Sequence, residues 1–595
     1  MAIFGDFIWS ENQLLNHISA PNLTRLENFV WLSNGTLESR RGFEPIPYFV
    51  GSTSSSASGV PGVQCVIEMT DANGNPYIFS SAETYSMGAA GTDNFLLYGD
   101  SFYFTHPNGS GFSVIPFALN TSGTSQRYTY YSTDASTNST FVEGNDKCTI
   151  INYSGKIVFT SGNGSFQIIQ NGIGTSSSNY TRLDNTILPI TNQSIIGMVR
   201  FQQRLTCITK EGYLIYSPVD WDGVTGWSAN PSNLGGFIQI TSDPGELLET
   251  ITVTKGGIVI SSRNSAKEYG NIYNILTLDS TSANFGVLNT SQNAYFSKGA
   301  LIAYGQDITG LTPMGLLSVG VQELTNQAIV KSESSAISEL LSSIFKDKSI
   351  YPVLDAFLDT TAKGSYFIIN NRLDPDNTIS KLLYYQYDTK KWSQLSTKLP
   401  IQRMFMYYGY PAAAGYIVDP STGKMYLGVW SLSYTYKDTK IDIKETATVD
   451  GRSVTFWDYS ETKIPYRKYF VTGNVNLTGD SRRDGDAKTV IQNIMTSGDD
   501  EFKYRCGYFQ TSNNTNTGVV SLEANSDIGA KLNTLTKWSD YVTQAIWGTT
   551  LKYYPKYEQA TVNLRGSGSV FYQVWFESYS DTKIKLIDYR GDSTP

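Results

Sequence analysis

Apolar and polar positions alternate in short runs along most of this chain, and turns containing glycine, asparagine or aspartate separate the runs. Alternation with period two marks strands that bury one face, and turn residues between them mark hairpins. From Val199 to Gly310 the pattern becomes a relay. It runs through 199–208, 210–223, the strands around Lys255-Gly256-Gly257, and a last stretch from Phe285. Each unit predicts a strand, a tight turn and a returning strand, which is how a propeller blade is built.

The same texture precedes and follows the relay. Val63 to Met69 faces Tyr77 to Phe79 across Ala72-Asn-Gly-Asn-Pro, and further runs cover Phe95 to Tyr98, Phe102 to Phe104, Phe112 to Ile115, Cys148 to Asn152, Ile157 to Thr160 and Phe166 to Ile169. Strands resume at Tyr366 to Ile369, at 381–392 and at 416–428. Beyond Trp430 the strands lengthen and carry more charge, ending in Val570 to Phe576 and Ile584 to Tyr589. No repeat is strict enough to count blades. The pattern predicts an all-β chain: a β-propeller-like core of short antiparallel hairpins, an additional C-terminal β-domain and few helices.

Helical spacing occurs in three places. Leu14, Leu15 and Ile18 share it near the start, Ile337, Leu340, Leu341, Ile344 and Phe345 form an apolar stripe within 335–348, and a weaker stripe runs from Ile528 through Leu532 and Leu535 to Ile546. Residues 51–59, Gly-Ser-Thr-Ser-Ser-Ser-Ala-Ser-Gly, have linker composition. The expected organisation is an extended N-terminal segment (1–55), the propeller-like core with a helical insertion near 335–348 (56–430), and the C-terminal domain (431–595).

Composition narrows the function classes. At 595 residues the chain exceeds one compact core, and 40% hydrophobic, 13% aromatic and 16% charged residues suit a sheet-rich protein. The formal charge of −8 argues against general affinity for nucleic-acid phosphates, although an acidic passage lets DNA slide without sticking. His17 and His106 are the only histidines, and Cys65, Cys148, Cys207 and Cys506 lie far apart, so neither a metal centre nor a Ser-His-Asp apparatus is expected. The cysteines read as buried thiols. The N-terminus has no basic and apolar leader, and no apolar run approaches a membrane span, so no membrane insertion is expected and the chain reads as made in the cytoplasm.

The acidic clusters Asp220-Trp-Asp222, Asp374-Pro-Asp376, Asp484-Gly-Asp486 and 499–501 lack the spacing of a calcium loop and read as solvated turns. Ser217 to Trp227 evokes a sialidase Asp-box with the wrong spacing, and neither a phosphate loop nor a nucleophile elbow is present. No catalytic residue, cofactor or metal is assigned.

Several landmarks in fixed order resemble the tail nozzle, or tail tubular protein B, family of short-tailed bacteriophages, with its related tail-hub and packaged-DNA stabilisation proteins. They are Leu37-Glu-Ser-Arg40-Arg41-Gly42-Phe43, the hairpin at Arg204-Leu205 with Ser217 and Trp221, Lys255-Gly-Gly-Ile-Val-Ile, and the stretch from Gly286 to Tyr304. Tyr387 to Trp392, Trp457, and Ile464 to Gly473 with Lys468 complete the set, which spans most of 22–475.

The resemblance implies a virion tail protein, not an enzyme, forming a ring-shaped homo-oligomer, a hexamer, against the portal-adaptor protein. Residues 1–55 are the expected adaptor contact, other tail proteins such as fibres or spikes are expected neighbours, and double-stranded DNA passes through the lumen without specific binding. From the residues alone, Arg40, Arg41 and Gly42 end a strand and pair locally, while Trp221 and Trp392 pack blades. A receptor-binding or glycan-degrading tail protein is the rival reading, and a bacterial propeller lectin a third.

Overall fold

The computed structural model describes chiefly the strands and the short turns between them. The longest stretches outside the described residues are 10–21, 46–62, 83–101, 116–148, 276–287, 473–484 and 522–555. The possible helices near Leu14 and Ile528, the run Phe95 to Tyr98, the linker at 51–59 and Gly286 therefore lie outside them.

Among the described residues, seven four-stranded antiparallel units stand in sequence order. Blade 1 is Val63–Thr70, Pro76–Ala82, Phe102–Thr105 and Phe112–Ile115; blade 2 is Thr149–Tyr153, Lys156–Thr160, Phe166–Ile169 and Tyr180–Leu183. Blade 3 comprises Ile195–Phe201, Arg204–Thr209, Tyr213–Tyr216 and Gly236–Gln239, and blade 4 comprises Glu246–Thr254, Gly257–Asn264, Ile272–Ile275 and Leu288–Asn289. Blade 5 is Leu301–Tyr304, Asp307–Thr312, Gly315–Val321 and Ala328–Ser332; blade 6 is Val353–Asp359, Gly364–Ile369, Ser380–Gln386 and Lys391–Thr397.

Blade 7 has Arg403–Tyr407, Tyr410–Val418 and Met425–Leu432 from its own region, and its fourth strand is Phe43–Pro45 from the N-terminal segment. The first strand of each blade neighbours that of the next, and the first strand of blade 7 returns to blade 1. That closed succession makes the core a seven-bladed β-propeller. Pro45 fits the outermost position, where its missing N–H breaks no ladder.

The local chemistry explains the hairpins. Gln202 and Gln203 turn with φ of 47° and 60°, the left-handed conformation of the tight turns whose twist suits antiparallel strands. Along Val353–Asp359, buried and half-buried positions alternate strictly, as a strand wedged between neighbours requires. Apolar layers then fill the spaces between blades: one joins Tyr153 and Val158 of blade 2 to Ile195, Leu205 and Cys207 of blade 3, and the next joins blade 3 to Ile258 and Ile260 of blade 4. Burial pushes the Cys207 thiol pKa well up, so it packs as a small apolar group. The stripe in 335–348 forms the short helix Ser338–Ile344 between blades 5 and 6, with Leu341 in the core.

Beyond the blades, two larger sheets, one of them continuous with blade 6, stand beside two two-stranded ribbons. In one, Asn22–Glu27 bridges the last strand of blade 6 to Lys468–Thr472, Phe571–Ser578 and Tyr504–Thr511. In the other, Phe29–Trp31 and Leu37–Ser39 join the long strands Lys583–Thr594, Gly485–Ser497 and Lys556–Ser569. Residues 22–45 are thus woven into blades 6 and 7 and into both outer sheets. Leu23, Phe29 and Trp31 share one core with Phe367, Trp392, Phe470 and Phe576.

Candidate functional site

The N-terminal segment leaves one outer sheet and enters the other at Asn28, which takes φ of 61° between Asn22–Glu27 and Phe29–Trp31. Asparagine tolerates this conformation better than most residues. Its carboxamide oxygen accepts from Arg40 Nε at 2.9 Å and from the Ser396 N–H at 2.8 Å, and its Nδ2 donates to Ser396 Oγ at 3.0 Å. Asn28 thereby fixes both the corner and the arginine that follows it.

Arg40 is 2% exposed and uses all five guanidinium N–H groups. Nη1 and Nη2 grip Asp438 at 2.8 and 2.7 Å, Nη2 also donates to the Ser396 carbonyl at 2.9 Å, and Nη1 to the Arg41 carbonyl at 3.0 Å. Asp438, 1% exposed, is equally saturated, because Phe43 N–H donates to Oδ1 at 3.1 Å and Thr397 Oγ1 to Oδ2 at 2.6 Å. A buried ion pair persists only when its remaining donors and acceptors are satisfied, and here they are. Burial alone would lower the Arg40 pKa, but the charge and hydrogen bonds of Asp438 raise it above its ordinary value.

Tyr466 lies against this pair, with the Arg40 guanidinium carbon 3.6 Å from its ring centroid, and its hydroxyl donates to the Arg40 carbonyl. Lys468 Nζ sits 4.5 Å from the same centroid and donates to the Tyr436 carbonyl at 3.3 Å. Two cations therefore share one aromatic ring, an attraction that desolvation strengthens. Burial pushes the Lys468 ammonium down to about 7; Asp581 opposes that shift and Arg40 adds to it.

These contacts join two of the signature stretches to the strand that carries a third. Leu37 lies in the shared core, Gly42 and Phe43 run against 432–438, and the strand carrying Trp392 supplies Ser396 and Thr397. Gly42 is required by close approach, since a Cβ there would meet the Lys437 carbonyl oxygen at 1.9 Å. Arg41, by contrast, is exposed. The expected local partner for Arg40 is corrected: its carboxylate stands 398 residues away, because blade 7 has to close before the two can meet.

Arg204, Leu205, Ser217 and Trp221 meet elsewhere, at one end of blade 3. Ser217 N–H donates to the Leu205 carbonyl at 2.8 Å, while Ser217 Oγ accepts from Leu205 N–H at 2.9 Å, so the side chain extends the ladder past the last strand residue. Arg204 Nη1 donates to the Ser217 carbonyl at 2.7 Å. Tyr153 of blade 2 accepts from Trp221 N–H at 2.9 Å and donates to the Gln203 carbonyl at 2.8 Å, clasping the two blades.

Trp221 and Trp392 are 3% and 2% exposed, so neither offers a ring face to a sugar. Asp220 sits in the turn with φ of 48°. Among the described residues no group of three or more His, Cys, Asp or Glu side chains could hold a metal ion, and no helix is long and apolar enough to cross a membrane.

Asn28, Asp438 and Tyr466 are the residues that sequence reasoning missed. Only Tyr466 had a signal, lying within the Ile464 to Gly473 stretch. Asn28 and Asp438 resemble ordinary turn residues until the fold buries them.

No protein-family model matches this chain, and neither does any curated protein. Among solved structures, similarity is found to the Pan2 WD40 domain of Neurospora crassa (7% identity, 65% of this chain and 95% of that one, TM-score 0.33). BBS1N in complex with ARL6DN is similar at 10% identity over 66% and 98% of the two chains, with a TM-score of 0.34. Regucalcin from Agrobacterium tumefaciens is similar at 12% identity over 48% and 90%, with a TM-score of 0.28. Likeness of this size bears on none of those proteins' activities.

Proposed function

We propose that this chain is the subunit of a bacteriophage tail nozzle, a non-enzymatic virion protein. Its copies form a ring, a hexamer, below the portal and its adaptor, holding packaged double-stranded DNA and then conducting it during ejection. The observation that carries the reading is the meeting of the stretches at Leu37 to Phe43 and Ile464 to Gly473 around the Arg40–Asp438 pair, and of Leu37, Trp392 and Phe470 in one apolar core. Chance matches to a family's landmarks have no reason to converge on one buried region; residues that jointly close a fold do.

The physical task suits the parts. A closed propeller tied to two outer sheets resists deformation, and an excess of 53 acidic over 45 basic residues lets DNA pass a lumen without stalling. Lumen-facing loops are accordingly expected to be rich in Asp and Glu. Fibres or spikes dock on the outer surface.

Negative-stain imaging of the purified chain with its adaptor, alongside a glycan-hydrolysis assay, tests the proposal. Rings without cleavage support it. A monomer that cleaves surface glycans overturns it in favour of a receptor-degrading tail protein.

A further inference from the structure

The segment Leu37–Pro45 belongs to two bodies at once. Leu37 and Glu38 pair with Leu586 and Lys585 of the long C-terminal strand, Ser39 Oγ accepts from Ile584 N–H at 2.9 Å, and Glu38 meets Lys583 at 2.8 Å. Only three residues later, Phe43–Pro45 is the strand that completes blade 7. Gly42 N–H donates to the Thr435 carbonyl at 2.6 Å, and Ser433 N–H to the Gly42 carbonyl at 2.9 Å, so the connecting residues have no slack. Any displacement of the outer sheet pulls directly on the seam of the propeller.

The catch on this strap is the cluster around Tyr466. Facing Lys468 are Arg40 from the strap, Lys437 and Asp438 from the segment after blade 7, and Asp581 from the turn before the last strand. The ring of Tyr466, on the approach to Lys468 itself, touches both cations. Arg40 is bound to Asp438, and Lys437 lies 3.7 Å from Asp581, whose Oδ1 accepts from Tyr436 N–H at 2.8 Å. When Lys468 is protonated, a third cation joins Arg40 and Lys437 beside Asp438 and Asp581, and Lys468 itself is fully buried. When it is neutral, that buried charge is gone.

We propose that Lys468 is a proton-operated catch: neutral, it leaves the strap seated on blade 7 and the outer sheet; protonated, it adds a buried charge that loosens both. The sign follows from burial. Lys468 loses its proton in the folded chain near pH 7, well below an ordinary lysine at about 10.4, so the cost of burying its charge is full below pH 7 and is relieved as pH rises from there. The inference concerns this chain's own seam, and its test is independent of ring formation.

Hydrogen–deuterium exchange on the full chain, read on peptides covering 37–45 and 425–439 and corrected for intrinsic rates, tests it. Protection in those peptides is expected to be about tenfold lower at pH 6 than at pH 8, a tenfold change being expected per pH unit across the titration. Lys468→Met is expected to abolish the difference. Asp581→Asn, which keeps an oxygen for Tyr436 N–H, is expected to move the midpoint to lower pH, and it serves even where the methionine variant does not fold. A pH-independent wild type, an unchanged difference in Lys468→Met or an unmoved midpoint in Asp581→Asn overturns the proposal.

Discussion

In blade 3, Arg204 reaches a carbonyl only 13 residues along the chain, at Ser217; at the seam, Arg40 reaches a carboxylate 398 residues along, at Asp438. Both guanidiniums are almost wholly buried, at 3% and 2% exposure. The first is held within one hairpin unit, so the loop closed is short and the contact can form as the blade forms. The second forms only when the N-terminal strand, blade 6 and the segment after blade 7 are all in place. One arginine thus finishes a blade, while the other certifies that the ring has closed.

That contrast is best broken at the seam itself. Asp438→Ala leaves Arg40 charged and buried without its carboxylate, and a loss of about 3–5 kcal/mol is expected in chemical denaturation. A loss below about 1 kcal/mol would reduce the pair to a local contact. Gly42→Ala places a methyl group against the Lys437 carbonyl oxygen and is expected to cost about 1–3 kcal/mol, seen as a lowered thermal midpoint.

In blade 3 the expected effects are smaller and stay local. Ser217→Ala removes the acceptor of Leu205 N–H and should cost about 1–2 kcal/mol, with raised amide exchange confined to 204–217. Exchange spreading to 37–45 would show that the blade and the seam form one cooperative unit rather than two. Lys363→Ala, which removes the exposed partner of Asp388 in blade 6, is expected to change stability by less than about 0.5 kcal/mol and calibrates the series.

Much of the fold was legible in the residues. The hairpin at Val199 to Ile208, the strand Tyr366 to Ile369 and the run Lys381 to Trp392 each form as the pattern predicts, whereas Val353–Asp359, whose residues do not alternate apolar and polar, is a strand the pattern did not announce. The apolar stripe in 335–348 gave a helix too, described over Ser338–Ile344. Ser217 and Arg204 lie 13 residues apart, close enough for their pairing to be read as a hairpin.

The seam was less legible, because its chemistry depends on burial. Asn28, Asp438 and Lys468 are polar residues of the kind that surfaces carry, and nothing adjacent to them in sequence announces that water is excluded. Arg40 and Lys468 were singled out by their motifs, but their shared contact with Tyr466 was not.

The sequence by itself determined the strands, the tight turns and the all-β character, since these follow from period-two alternation and from residues that tolerate left-handed turns. Tertiary structure alone decided the count of seven blades, the closing of blade 7 by Phe43–Pro45 and the joining of Arg40 to Asp438. Those are contacts between distant parts of the chain. They become favourable only after the ring has excluded water from the groups that meet there.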